Sequence, residues 1–220
     1  MTREERVILL VGSPKGLEGS NSARLGRIVT DGLEAAGWQC APFHLHKLAT
    51  DDDAAAEACR ALDAANLVVL ATPLYVDGLP APVIHALHRL VSHRAEAAPT
   101  SVPRFLSIIN CGFVEPWQNE TAQNMLQQFC DRARLEWVGG LSLGASGHPN
   151  RSVRRAFTLI IEALRDEVLI PEEVYKLTKY RVMPARLYVL GGNVMWRRLA
   201  KKNGVADQLR AQPYARAGDG

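Results

Sequence analysis

The feature that most constrains this chain is a repeated alternation between short apolar runs and longer segments of helical periodicity. The runs cover residues 6–11, 38–45, 66–72, 104–110 and 136–143. The helical segments cover residues 21–36, 54–64, 81–94, 118–134 and 152–167. Such alternation is typical of βαβ units, whose parallel strands are buried on both faces of the sheet and therefore read as continuous apolar runs. We predict five βα units in an α/β fold.

Two further helices are predicted after the fifth unit, over residues 171–180 and 195–203. They exceed what a five-stranded sheet needs, and a length of 220 residues suits one elaborated domain. We therefore expect one domain over residues 1–168 and a basic helical C-terminal extension over residues 169–220. The extension would serve as a cap, an oligomer contact or a charged surface for a partner.

Charge is distributed unevenly along the chain. Up to Tyr175 there are 16 basic and 21 acidic residues, whereas the remainder has 10 basic and 2 acidic residues. An anionic partner is therefore worth considering for the tail alone, and the acidic body argues against nucleic-acid binding. For the tail we favour a contact between subunits over a peripheral membrane contact.

The N-terminus has charges of both signs and lacks the apolar core of a signal peptide, and no apolar stretch approaches about 18 residues. We expect a cytoplasmic protein. The four cysteines, at positions 40, 59, 111 and 130, do not form a compact C-x-x-C pair. Free thiols and no metal site are predicted.

The loop after the first strand, GSPKGLEGSNS at residues 12–22, has the composition of a phosphate site. It combines three glycines, three serines, an asparagine and Lys15 at the start of a helix, where backbone N–H groups favour an anion. It lacks the G-K-[ST] ending of a P-loop, and the chain has no G-x-G-x-x-G. A terminal monophosphate fits better than a nucleoside triphosphate; the alternative is a glycine-rich surface turn.

Two other loops carry apolar and aromatic residues at predicted strand ends. TPLYVDGLPAP at residues 72–82 would display Leu74, Tyr75, Val76 and Leu79 to a flat ligand or another subunit, unless it simply caps the core. NCGFVEPW at residues 110–117 again has a glycine and aromatic residues. Together the three loops indicate a site for a planar ring with a phosphate-bearing tail.

These motifs resemble those of the flavodoxin-like NAD(P)H-dependent FMN reductase family, which includes quinone and azo-compound reductases. The resemblance rests on GSPKGLEGSNS, TPLYVDGLPAP and INCGF, and covers residues 7–166. It implies a flavodoxin-like, doubly wound, five-stranded parallel sheet in the order 2-1-3-4-5, here with a C-terminal helical extension. It also implies non-covalently bound FMN, with NAD(P)H as co-substrate.

The resemblance assigns residues to three parts of the flavin. The phosphate would be held by Ser13, Lys15, Ser20, Asn21 and Ser22. The isoalloxazine would be lined by Pro73, Leu74, Tyr75 and Val76, and its other edge by Asn110, Cys111, Gly112 and Phe113. No catalytic side chain or metal is required, because the flavin N5 carries the chemistry.

The function expected from the resemblance is electron transfer from a nicotinamide, through the flavin, to a quinone, a flavin or a similar acceptor, by a homodimer or higher homo-oligomer. The alternative is a flavodoxin-like electron carrier, or a non-catalytic binding protein whose basic tail engages an anionic partner.

Several residues have a functional and a plainer interpretation. Cys111 is either a redox thiol or, as we favour, a small buried residue. His44 and His46 alternate on a predicted strand, so we expect one to point inward and one outward. Arg151, Arg154 and Arg155 begin the fifth helix, where they would recognise a phosphate of NADPH or, as we favour, remain solvated.

Overall fold

The strands lie at the positions that the apolar runs predict. The computed structural model describes residues 5–97, 99, 101–148, 150–181 and 183–211; residues 1–4 of the charged N-terminus and 212–220 of the tail lie outside this part. The strands are β1 (Arg6–Val11), β2 (Gln39–His44), β3 (Leu67–Pro73), β4 (Arg104–Asn110) and β5 (Glu136–Leu143). All pairings are parallel, in the order β2-β1-β3-β4-β5, as predicted.

The helices cover both faces of this sheet. They are α1 (Asn21–Glu34), α2 (Leu45–Leu48), α3 (Asp52–Ala64), α4 (Ala81–Ala97), α5 (Glu120–Ala133), α6 (Arg151–Arg165) and α7 (Glu172–Thr178). A further helix, α8 (Ala185–Lys202), follows them in the chain. Along β1, Ile8 and Leu10 belong to one buried cluster while Leu9 and Val11 belong to the other. The strand is therefore apolar throughout because each of its faces has its own core.

The sequence missed α2 and the first ten residues of α8. A four-residue helix is too short to show a period of 3.6 residues. In α8, Gly191 and Gly192 weaken the helical pattern, and the helix starts directly after Pro184. A Cβ at either glycine would meet no other atom within 4 Å, so no close packing requires them.

The chain divides into two compact units, residues 1–182 and 183–220. In the first, α7 packs against α6 and β5, and Ile170 and Val174 join the core. The predicted boundary at residue 168 thus lies before a helix that belongs to this unit. The second unit contains α8 and a short 3-10 turn, Ala206–Gln208. None of the helices in the described ranges is long and apolar enough to cross a membrane.

A buried arginine ties the ends of several elements together. The guanidinium of Arg94, in α4, is fully buried and donates to the carbonyls of Ala133, Arg134 and Ser101 at 2.8–3.0 Å. It also forms an ion pair with Asp63 of α3 at 3.1 Å. A single buried side chain therefore joins the end of α3, the end of α5 and the segment before β4. These contacts fix the edge of the sheet opposite the carboxyl ends of the strands.

Candidate functional site

Loops from four neighbouring strands lie side by side at the carboxyl edge of the sheet. Backbone hydrogen bonds join them in sequence: Gly12 N to Ala71 O (2.8 Å), Leu74 N to Asn110 O (2.9 Å), Cys111 N to Leu143 O (3.0 Å) and Ser146 N to Cys111 O (2.7 Å). The carboxyl edge of a parallel sheet is where ligands bind in this class of fold. All three loops singled out in the sequence are therefore brought together.

The first loop, between β1 and α1, is open at two glycines and tightly packed at a third. Gly16 and Gly19 have φ angles of 77° and 74°, and a Cβ at either would meet nothing within 4 Å. A Cβ at Gly12, in contrast, would lie 2.4 Å from the hydroxyl oxygen of Thr72. The loop thus starts in close contact with β3 and then turns outward around an open space.

The three serines of this loop have different hydrogen-bonding roles. Ser20 caps α1, accepting from Ala23 N at 3.0 Å, and its hydroxyl donates to Gly16 O at 3.1 Å. Ser22 donates to Oδ1 of Asn110 at 2.8 Å in a buried contact. Ser13 accepts from Lys15 N at 3.3 Å, and the residues that the structure describes provide no acceptor for its hydroxyl hydrogen. A phosphate oxygen only accepts, so Ser13 is the serine that is able to donate to it without breaking a bond.

The start of α1 adds backbone donors beside Ser13. The first N–H groups of a helix have no acceptor within the helix, and here the cap accounts for Ala23 only. The amides of Asn21 and Ser22 are left to point out of the helix end, where the helix dipole also favours an anion. The side chains of Lys15 and Asn21 are exposed near this end. The predicted phosphate site therefore has uncommitted donors.

Two histidines contact backbone carbonyls of this loop. Nε2 of His44 lies 2.9 Å from Ser13 O, and Nε2 of His46 lies 3.1 Å from Gly12 O. The rings are stacked, with centroids 5.3 Å apart. Since a carbonyl oxygen only accepts, both Nε2 atoms carry the hydrogen. A trans peptide points its C=O and N–H in opposite directions, so His46 also sets the direction of Ser13 N–H.

The expectation that one of these histidines points inward and the other outward is wrong. Both face the loop because β2 ends at His44 and α2 begins at Leu45, so the strand alternation does not continue to His46. Sequence reasoning did not assign them to the site. The signal available was their position at the end of a strand that neighbours β1.

The second loop, after β3, exposes only part of its apolar set. Tyr75 and Val76 are exposed, whereas Leu74 and Leu79 are buried in the core, which corrects the expectation that all four are displayed. Tyr75 and Gly78 exchange two backbone hydrogen bonds across a tight turn. The central residues Val76 and Asp77 have φ angles of 48° and 58°, which is costly for residues other than glycine. The turn presents Tyr75 and Val76 beside β3.

The third loop, after β4, exposes an aromatic side chain and buries a thiol. Phe113 is half-exposed, while Asn110 and Cys111 are buried. Because Oδ1 of Asn110 accepts from Ser22, its amide nitrogen retains its own donors. Burial raises the pKa of the Cys111 thiol, and its sulfur lies 3.6 Å from the carbonyls of Phe113 and Glu115. A neutral thiol bonded to carbonyls supports the structural interpretation of Cys111.

A residue far along the chain braces this third loop. Nε of Arg181, just after α7, lies 2.8 Å from the carboxylate of Glu115. Its guanidinium also lies 5.4 Å from the centre of the Trp117 ring. The segment after α6 thus contributes to the first unit, because Arg181 in this segment contacts one of the site loops. No local pattern in the sequence could reveal this contact, because the partners are more than 60 residues apart.

The remaining candidates are the three arginines at the start of α6 and the possible metal ligands. Arg151, Arg154 and Arg155 are exposed in the first turns of α6, which is capped by Asn150. Among the residues described, no three histidine, cysteine, aspartate or glutamate side chains come close enough to hold a metal ion.

Comparison with known proteins supports the sequence resemblance. Residues 6–102 match the family model described as NADPH-dependent FMN reductase, a stretch that contains the first two loop motifs. The suspected resemblance is confirmed over this part of the chain. No curated protein matches the sequence.

Solved structures share the fold at low sequence identity. An NADH:FMN oxidoreductase in its apo form superposes with a TM-score of 0.57 and 15% identity, covering 82% of this chain and 96% of that one. An NAD(P)H:quinone oxidoreductase from Methanothermobacter marburgensis gives 0.57 and 17%, covering 74% and 96%. An FMN-dependent NADH-azoreductase from Bacillus anthracis, in complex with FMN, gives 0.53 and 10%, covering 74% and 99%. The flavodoxin-like fold class is thereby confirmed.

Proposed function

We propose that this chain is an NAD(P)H-dependent, FMN-containing oxidoreductase that passes electrons from a nicotinamide, through non-covalently bound flavin, to a quinone, a flavin or a similar acceptor. The observation that carries the proposal is the position of uncommitted phosphate donors at the start of α1 next to exposed Tyr75 and Phe113. The match of residues 6–102 to the family model supports the same conclusion.

The residues present fit the chemistry of FMN. The phosphate would take the Ser13 hydroxyl and the amides of Asn21 and Ser22, with Lys15 nearby. Gly16 and Gly19 leave the space around this position open. Apolar and aromatic surface for a flat ring is supplied by Tyr75, Val76 and Phe113 on the two adjacent loops.

The remaining predicted residues would shape the edges of the ring site. Pro73 ends β3 beside Asn110 of β4, so these two strand ends fix the distance between the second and third loops. Leu74 and Cys111 support the loops from the core, and Gly112 leaves its outer side open.

When bound, FMN would supply the redox chemistry between a nicotinamide and the acceptor. The protein's own contribution is to bind and orient it. His46 and His44 hold the carbonyls of the phosphate loop, Ser22 links that loop to Asn110, and Arg181 holds the third loop through Glu115. This division of labour requires no nucleophilic or basic side chain.

A homodimer is part of the proposal. Tyr75, Val76, Phe113 and Trp117 form an exposed apolar rim that a second copy would cover. An open apolar groove of about 340 Å³ between α4 and α5, which includes Ile84, Val91 and Met125, adds to the same unit's apolar surface. Light scattering should give the mass of a dimer, and a monomer that keeps full activity at high dilution would contradict this assembly.

The experiment that tests the function is anaerobic stopped-flow reduction of the FMN-loaded protein by NADH and by NADPH. We expect rapid bleaching of the flavin absorbance by at least one nicotinamide, and reoxidation when a quinone is added. If the protein binds FMN but neither nicotinamide reduces it, the alternative of an electron carrier replaces the enzyme. If it binds no FMN, both interpretations fail.

A further inference from the structure

The helix α8 combines exposed apolar side chains with cations only. Its exposed large apolar residues are Leu187, Val189, Leu190, Val194, Met195, Trp196 and Leu199. Its five charged residues, Arg186, Arg197, Arg198, Lys201 and Lys202, are all basic. In the sequence, no acidic residue occurs between Glu173 and Asp207. Exposed apolar surface of this extent on one helix indicates that it binds a partner.

The cations of α8 lie on the face opposite an arc of four exposed apolar residues, which we call the apolar arc. At 3.6 residues per turn, Val189, Trp196, Leu199 and Met195 fall within an arc of about 120° that contains no charged residue. All five cations fall on the remaining arc, and four of them are in the last six residues. The remaining arc also carries Leu187, Leu190 and Val194, so the first half of the helix is apolar on both sides.

We propose that α8 binds the surface of an anionic lipid bilayer, lying in the plane of the interface. Its apolar arc would enter the boundary between headgroups and acyl chains, while the arginines and lysines extend toward lipid phosphates. Trp196 is the most exposed of the apolar residues, at 63%, and tryptophan is favoured at this boundary because its ring is both apolar and a hydrogen-bond donor.

A lipid surface explains both faces of α8 better than a second copy of the same helix does. Two copies packed through their apolar arcs would cover those arcs but leave the five cations of each helix without an anionic partner, because α8 has no acidic residue. The preference for a subunit contact, reached from the sequence alone, did not take into account that α8 begins at Ala185 and therefore includes Leu187, Val189 and Leu190. Of these, Val189 extends the apolar arc toward the N-terminus by more than one turn beyond Met195, which enlarges the surface that would enter the bilayer.

The test is sedimentation of the full-length protein with vesicles of phosphatidylcholine alone or with 30 mol% phosphatidylglycerol. We expect binding to the anionic vesicles at 50 mM NaCl and little at 500 mM, because salt screens exposed charges. Replacing two cations, in Arg197→Gln with Arg198→Gln, should lower the partition coefficient about thirtyfold. A matched control, Arg60→Gln with Arg165→Gln, makes the same change in charge at exposed positions of the first unit and should have little effect.

Two further measurements make the outcome decisive. Trp196 emission should shift to shorter wavelength on anionic vesicles, and a Trp196→Phe variant should lose the shift while still sedimenting. Light scattering of the Arg197/Arg198 double variant and of a chain ending after Arg181 should give the same number of subunits as in the parent protein. The proposal is overturned if folded protein does not bind anionic vesicles at 50 mM NaCl, if neutral vesicles bind it equally, or if loss of α8 changes the number of subunits in the oligomer. Flavin absorbance of the same samples reports separately on the proposed function.

Discussion

Replacing Ser13 with alanine should weaken FMN binding while leaving riboflavin binding unchanged. The sequence suggests equal roles for Ser13, Ser20 and Ser22 at the phosphate, but the hydrogen bonds distinguish them. Of the three hydroxyl groups, those of Ser20 and Ser22 donate to oxygen acceptors, whereas the hydrogen of the Ser13 hydroxyl has no acceptor among the residues described. A hydrogen bond to a charged group contributes roughly 1.5 to 3 kcal/mol, so Ser13→Ala should raise the Kd for FMN by about ten- to 150-fold.

The other two serines provide contrasting variants. Ser22→Ala removes a buried bond to Asn110 and leaves its Oδ1 unsatisfied, which should cost about 1 to 3 kcal/mol of folding stability. Ser20→Ala removes a helix cap, which typically costs about 1 kcal/mol. Both variants should therefore lower the melting temperature of the ligand-free protein, whereas Ser13→Ala should hardly change it.

The assay is titration of each variant with FMN and with riboflavin, followed by the change in flavin fluorescence. Riboflavin has the same ring and ribityl chain but no phosphate, so the ratio of the two affinities isolates the phosphate contact. Tyr75→Ala is the control for the ring, and it should weaken both ligands. If Ser13→Ala weakened riboflavin as much as FMN, or left FMN unaffected, the assignment of the loop 12–22 to phosphate would be refuted.

Three other predictions concern positioning, stability and reactivity. His46→Ala should raise the Kd for FMN about fivefold but not that for riboflavin, because it frees the Ser13 peptide; equal losses in the same titrations would contradict this role. Arg94→Met should lower the free energy of unfolding in urea by about 3 to 5 kcal/mol, because three carbonyls lose their donor and Asp63 keeps only His93 of its two side-chain partners; a loss below about 1 kcal/mol would show that these groups find other partners. Burial raises the pKa of Cys111, so little thiolate exists at neutral pH, and alkylation by iodoacetamide, read by mass spectrometry, should become fast only in alkaline solution or on unfolding. Rapid labelling of folded protein at pH 7 would show instead that the thiol is activated.

Strand positions were predictable because burial on both faces leaves a direct trace in composition. The run at β3 is an example, since every residue from Leu67 to Thr72 is buried. The three site loops were predictable for a related reason: parallel strands end at the same edge, so motifs that follow successive strands come together. Local sequence was therefore sufficient for the fold and for the meeting of the three candidate loops at one edge of the sheet.

The roles of single side chains were not predictable, because they depend on partners distant in the chain. Ser22 and Asn110 are 88 residues apart, and His46 lies 34 residues from the carbonyl it contacts. Composition shows that a loop has hydroxyl groups, but not which hydrogens are already used. The length of α8 was missed for a different reason: its glycines oppose helix formation locally, yet the helix forms across them.

The tight turn after β3 has a consequence for how this protein can diversify. The side chain of Val76 is entirely exposed and contributes nothing to the core, while its backbone has a φ of 48° that glycine or asparagine would adopt at lower cost. Substitutions at this position should therefore be neutral or slightly stabilising for the fold. Because the same side chain borders the proposed ring site, selection can alter which acceptor is preferred at residue 76 without first compensating for lost stability. Substitutions in this turn can therefore change the specificity of the site while the stability of the sheet is maintained.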